Sequence, residues 1–164
     1  VLRVARAPFN IGYFDMDLIL WRHADAIDGI PDEDRQLSVR GTHQAAAMAR
    51  WLRTQLRDDW RVIASPALRT RQTASALTDE FVIDQALSTR TTPEKLLEAV
   101  DWEHGEGTVI AVGHQPTLGA VAALILSGQP ALWSVKKGAI WWLRREDDQI
   151  QVKAVLSPQW LIKP

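Results

Sequence analysis

The chain has 164 residues, of which 46% are hydrophobic and 24% charged, and it contains no cysteine. That balance predicts one domain with its own buried core and excludes a disordered chain, a disulfide scaffold and a cysteine nucleophile. With 19 Lys and Arg against 20 Asp and Glu, the formal net charge is −1, so no global basic field exists to hold nucleic acid, and no apolar run approaches the roughly 20 residues that span a bilayer.

Residues 1–15 show no clear period, and Arg3, Arg6, Pro8 and Asn10 interrupt them, unlike the unbroken apolar stretch of a signal peptide. They are expected to form a leader or extension ahead of a domain spanning residues 16–164, in a soluble, cytoplasmic protein. The run Asp17-Leu18-Ile19-Leu20-Trp21 reads as a strand buried on both faces, the kind used in parallel sheets. It leads straight into Arg22-His23. A polar loop from Asp28 to Arg35, broken by Gly29 and Pro31, follows. Ser38 resembles a helix N-cap, and Ala45, Ala49, Leu52 and Leu56 recur at helical spacing, which predicts a helix from Ser38 to Arg57.

Arg61 to Ser65 reads as a second strand. Pro66 suits the first turn of a helix whose apolar face includes Leu68, Ala74, Leu77 and Phe81. Val82 to Leu87 is expected to be a short strand, and Thr92 or Pro93 opens a short helix carrying Leu96, Leu97 and Val100. Thr108 to Val112 is a third buried strand, ending in Gly113-His114, and Pro116 starts a helix with Leu118, Val121, Ala122 and Ile125 on one face. Ala139–Leu143 and Gln149–Leu156 flank the turn-like Glu146-Asp147-Asp148 and read as an antiparallel pair. Trp141 and Trp142 must then point to opposite faces. Alternating strands and helices predict an α/β domain, in which ligands bind beyond the carboxyl ends of the parallel strands.

At that edge the three strands deliver Arg22, His23, Ser65, Arg69 and His114. Each alone has an ordinary structural explanation. Arg69, however, falls in the first turn of a helix, where a cation opposes the macrodipole unless it meets an anion. Helix N-termini and arginine forks both favour phosphate. A neutral imidazole is a nucleophile toward phosphorus, nearby arginines disfavour its protonation, and a backbone carbonyl bound to one ring nitrogen would aim the other. A metal centre is disfavoured, because His23, His43, His104 and His114 form no ligand motif and the interleaved arginines repel a cation.

Three ordered segments carry a family resemblance. Leu20-Trp21-Arg22-His23-Ala24-Asp25 resembles the RHG or RHA signature of the histidine phosphatase, or phosphoglycerate mutase-like, superfamily. Ser65-Pro66-Ala67-Leu68-Arg69-Thr70-Arg71-Gln72-Thr73 resembles its S-P-x-x-R-x-x-Q-T motif, and Val112-Gly113-His114-Gln115-Pro116 its GHNP-type motif. The resemblance runs from Met16 to the end of the chain. The RHADA opening, the Asp34-Arg35-Gln36-Leu37-Ser38 segment and Leu156-Ser157-Pro158 are most similar to SixA-type phosphohistidine phosphatases. Ala24 stands for the usual Gly, Gln36 for Pro and Gln115 for Asn.

The resemblance implies a three-layer α/β/α sandwich on a mostly parallel sheet. It implies His23 as nucleophile, Arg22, Arg35 and Arg69 as phosphoryl ligands, and His114 as a further donor, with no metal and no cofactor. Ser65 either orients the site or only shapes the strand–helix turn. The implied partner is a phosphorylated histidine phosphotransfer-type domain. A small-molecule phosphomonoesterase and a non-catalytic phospho-binding module are the alternatives. Glu94 and Glu98 are the carboxylates of the stretch where the superfamily's monoesterases carry their general acid, although the family's acid motif is missing there.

Overall fold

The first strand, β1 (Met16–Arg22), is the axis of the fold. The computed structural model describes residues 15–57 and 59–162. Met16, Leu18 and Leu20 project into one apolar cluster and Ile19 and Trp21 into another, which is why the run lacks polar alternation. β1 pairs in parallel with β4 (Gly107–Gly113), and β4 with β2 (Trp60–Ala64). The short β3 (Val82–Ile83) continues the parallel set. On the other side of β1, β5 (Ile140–Glu146) and β6 (Gln149–Leu156) run antiparallel. The sheet order is β3-β2-β4-β1-β5-β6.

Helices cover both faces. α1 (Val39–Gln55) and α2 (Leu68–Ser75) pack on the Ile19–Trp21 side, and α3 (Pro93–Val100) and α4 (Thr117–Ser127) on the Leu18–Leu20 side. This is the mostly parallel α/β/α sandwich expected from the sequence. Ser38 caps α1 by accepting from the Gly41 N–H. Trp141 packs on the α3–α4 side beside Trp133, while Trp142 meets Trp51 of α1 edge-on, so the paired tryptophans do face opposite ways.

Three expectations need correction. The strand expected over residues 82–87 stops at Ile83, because the Asp84 carboxylate accepts from the Ala86 N–H and turns the chain into a 3-10 turn (Gln85–Leu87). The helix after Pro66 begins at Leu68 and ends at Ser75, so Leu77 and Phe81 reach the same core from the turn beyond it. The first hairpin strand covers Ile140–Glu146, later than Ala139–Leu143, and its turn closes at Asp147 with φ 51. The expectation of a leader over residues 1–15 lies outside the described residues, except for Asp15, whose carbonyl accepts from the Gly107 N–H at 3.0 Å. Among the described residues no helix is long and apolar enough to cross a membrane.

Candidate active site

The register of the parallel strands brings the three motifs together. Arg22 pairs opposite Gly113, and the His23 N–H donates to the Gly113 carbonyl (3.1 Å), so His23 and His114 leave adjacent strands at the same edge. Their rings lie 5.3 Å apart, tilted by 56°. From β2, Ser65 Oγ lies 2.8 Å from His114 Nε2, and Arg69 reaches His114 Nδ1 at 3.4 Å. An arginine only donates, so Nδ1 of His114 is its acceptor side and Nε2–H donates to Ser65.

His23 Nδ1 lies 2.8 Å from the Ala24 carbonyl oxygen. A carbonyl only accepts, so Nδ1 carries the proton and Nε2 keeps its lone pair. This is the orienting carbonyl that the sequence reading called for without naming. Burial is the first cause that pushes the His23 pKa down to about 4, with Arg69, Arg22 and Lys137 adding to it against the opposing Ala24 bond. Burial, His23 and Arg69 push His114 down to about 3. Both rings are therefore neutral near pH 7. Removal from water thus ranks ahead of the neighbouring arginines, to which the sequence points.

Arg22 donates to the Val135 carbonyl (2.8 Å), and its Nε is buried without a partner. Arg69 is buried, and its Nε is also unpartnered. Its two terminal groups are engaged by one loop residue: NH1 donates to the Asp32 carbonyl (2.6 Å) and NH2 to the Asp32 carboxylate (2.9 Å). The cation in the first turn of α2 thus does meet an anion, supplied by the chain itself. Arg35 lies on the same loop. It donates to the Ile27 carbonyl (2.8 Å) and to Asp32 (2.9 Å), with Asp28 at 3.6 Å, so it joins the other residues through Asp32. Bonds from Arg35 and Arg69 hold the Asp32 carboxyl below the usual range.

Several supporting residues escaped the sequence reading. Thr73 Oγ1 accepts from the Ala24 N–H (3.1 Å), and Gln72 accepts from the Leu37 N–H (2.7 Å). The end of the second motif thereby pins the backbone beside the first. Gln115 joins the Trp133 carbonyl (2.7 Å) to the Gly119 N–H (2.8 Å), tying α4 to the loop before β5. Gly41 allows α1 to press onto the Asp25 backbone, where a Cβ would strike the Asp25 carbonyl oxygen. Glu94 and Glu98 line a separate surface cavity with Leu97, Trp102 and Leu124. Among the described residues, no three His, Asp or Glu side chains are grouped to share a metal ion.

Two neutral imidazoles, one with a directed lone pair, beside the buried Arg69 and the half-buried Arg22 can accept and hold a tetrahedral oxyanion. The chain belongs to the histidine phosphatase superfamily (branch 1), which matches residues 18–93. It is 31% identical over 164 residues to an uncharacterised protein of Picosynechococcus sp., covering 90% of this chain and 99% of that one. It is 29% identical over 126 residues to the phosphohistidine phosphatase SixA of Escherichia coli, covering 70% of this chain and 76% of SixA. Its fold superposes on the structure of the protein histidine phosphatase SixA complexed with tungstate with a TM-score of 0.76 at 23% identity, covering 90% of this chain and all of that one.

Proposed function

We propose that this phosphatase hydrolyses protein phosphohistidine through a covalent phospho-His23 intermediate. The observation that carries the reading is the His23 ring: its proton is fixed on Nδ1 by the Ala24 carbonyl, leaving Nε2 as the free nucleophile. The similarity to SixA, over most of both chains, supports the choice of substrate.

In the proposed cycle the phosphoryl group replaces Asp32 on Arg69 and is shared with Arg22, with Arg35 released to the same anion. Nε2 of His23 bonds to phosphorus as the substrate's P–N bond breaks. The substrate ring, protonated beforehand by solvent on its distal nitrogen, departs as neutral imidazole with the P–N electron pair. The phosphoryl charge favours protonation of His114, whose Nδ1 then donates to a phosphoryl oxygen while Nε2 stays on Ser65. Water attacks phospho-His23, releasing inorganic phosphate and the neutral ring.

A phosphomonoester would instead expel an alkoxide, which needs a general acid. Asp32, the one carboxyl group bonded to Arg69 among the described residues, is held ionised by Arg35 and Arg69, which suits it poorly to that task. Comparing kcat/KM on a phosphohistidine peptide with phosphoserine and sugar phosphates tests the reading. Preference for the P–N bond supports it. Equal or faster monoester hydrolysis overturns it in favour of a small-molecule phosphatase.

A further inference from the structure

Arg22 of the site also lines a cavity of about 350 Å³ with Arg40, Lys136 and Lys137, where Asp25 is the single carboxylate among the described residues. Asp25 is already neutralised, since it accepts from Lys137 (2.7 Å) and from the Ser38 hydroxyl (2.7 Å). Among the described residues, Arg22, Arg40 and Lys136 have no carboxylate within ion-pair distance. Arg40 is, moreover, the second residue of α1, whose first turn contains no acid. A cation there works against the helix dipole, so its placement costs the fold a little. A second cavity, about 580 Å³, shares Arg40, Gln44, Pro158 and Gln159 and adds the apolar Val39 and Ile162. Val39 is 78% exposed. The basic wall of the site therefore continues, without a break, into an apolar one.

We propose that this face docks the protein that carries the phosphohistidine: a flanking acidic side chain enters the Arg22–Arg40–Lys136 cavity while an apolar neighbour rests on the exposed Val39 and Ile162. The inference rests on the phosphohistidine reading for the identity of the group in the site. A small molecule with a second anionic group would satisfy the basic cavity alone and would gain nothing from the apolar one. A docked protein surface uses both.

The test combines Arg40→Glu/Lys136→Glu with a separate Val39→Asp. None of the three residues takes part in the proposed phosphoryl chemistry, and an acid at position 40 improves the first turn of α1, so the melting temperature should not fall. With a phosphohistidine peptide flanked by Glu and Leu, the double variant should raise KM at least tenfold and leave kcat unchanged. Hydrolysis of the phosphoramidate ion, which has no flanks, should be unaffected. In a second arm, anisotropy of a labelled, unphosphorylated Glu/Leu peptide reads docking without turnover; binding should weaken in both variants. An unchanged KM overturns the proposal, and so does equal damage to phosphoramidate hydrolysis. If the double variant weakens the peptide and Val39→Asp does not, the cavity takes a small anion and the protein-docking inference fails. Failure of the wild type to cleave any P–N bond would sink the substrate assignment, while the binding arm still decides the docking surface.

Discussion

The two ends of β1 are both rich in charge, and they hold it differently. At its start, a cavity of about 500 Å³ is lined by Asp15, Asp17, Asp59, Arg57, Arg144 and Lys153. There the buried charge is closed on itself: Arg144 grips Asp17 with two bonds (3.0 and 2.8 Å), and Lys153 lies 3.7 Å from the same carboxylate. At the far end, two buried histidines are neutral, Arg22 and Arg69 keep an unpartnered Nε, and the acid bonded to Arg69, Asp32, sits on an exposed loop. The cavity at the start of the strand is spacious, yet its buried acid is already paired. Donors left available to a ligand mark a site better than volume does.

The comparison breaks most sharply at His23. His23→Ala should lower turnover by roughly 10³-fold or more, as loss of a nucleophile does, while vanadate binding persists through the arginines. Substantial residual turnover would remove His23 from the nucleophile role. At the opposite end, Asp17→Ala should leave kcat alone and cost about 2–3 kcal/mol of stability. Its loss strands two cations, and Arg144 and Lys153, each about one-third exposed, recover part of the loss by rehydrating. Urea denaturation beside steady-state kinetics reads both; a large drop in kcat in the folded variant would show that the ends are coupled.

Acid should separate the ends as well. The unfolded chain takes up protons on histidine near pH 6.5, and the folded chain refuses them until about pH 4 at His23 and about 3 at His114. Stability is therefore complete above pH 6.5 and falls as pH drops through that window, with Asp25 and Asp32, held below the usual carboxylate range, adding to the loss at lower pH. Melting temperature against pH should show the decline, and His114→Gln should flatten it. A curve flat from pH 6.5 to 4.5 contradicts the burial argument. The smallest effect is expected at Asp32, whose side chain is 55% exposed. Exposed pairs contribute up to about 1 kcal/mol, so Asp32→Asn should tighten phosphate binding by no more than about fivefold. Weaker binding would mean that Asp32 positions Arg69 rather than competing for it.

Much of this arrangement was legible in the chain. Leu18–Trp21 of β1 and Val109–Val112 of β4 are unbroken apolar runs because both faces are buried, and each strand leads directly into a candidate-site histidine. Ser38 and Thr92 announce α1 and α3 by their capping chemistry. The ligand of Arg69 was not legible. Asp32 stands among Asp28, Glu33 and Asp34 in a loop that reads as solvated, and only the tertiary path of that loop selects which acid meets the arginine. Gln72 and Thr73 were visible as motif letters, but their bonds to Leu37 and Ala24 cross 35 and 49 residues of sequence. The strand expected over residues 82–87 failed because the Asp84 cap outweighs the β-branched pair before it.

The central claim is that His23 itself carries the phosphoryl group. Rapid quenching of the enzyme with ³²P-labelled phosphoramidate tests it directly. The account predicts a labelled protein, formed within the first turnover, that is stable in alkali, labile in acid and absent in His23→Ala. Turnover without such an intermediate, or label that survives in His23→Ala, would contradict it.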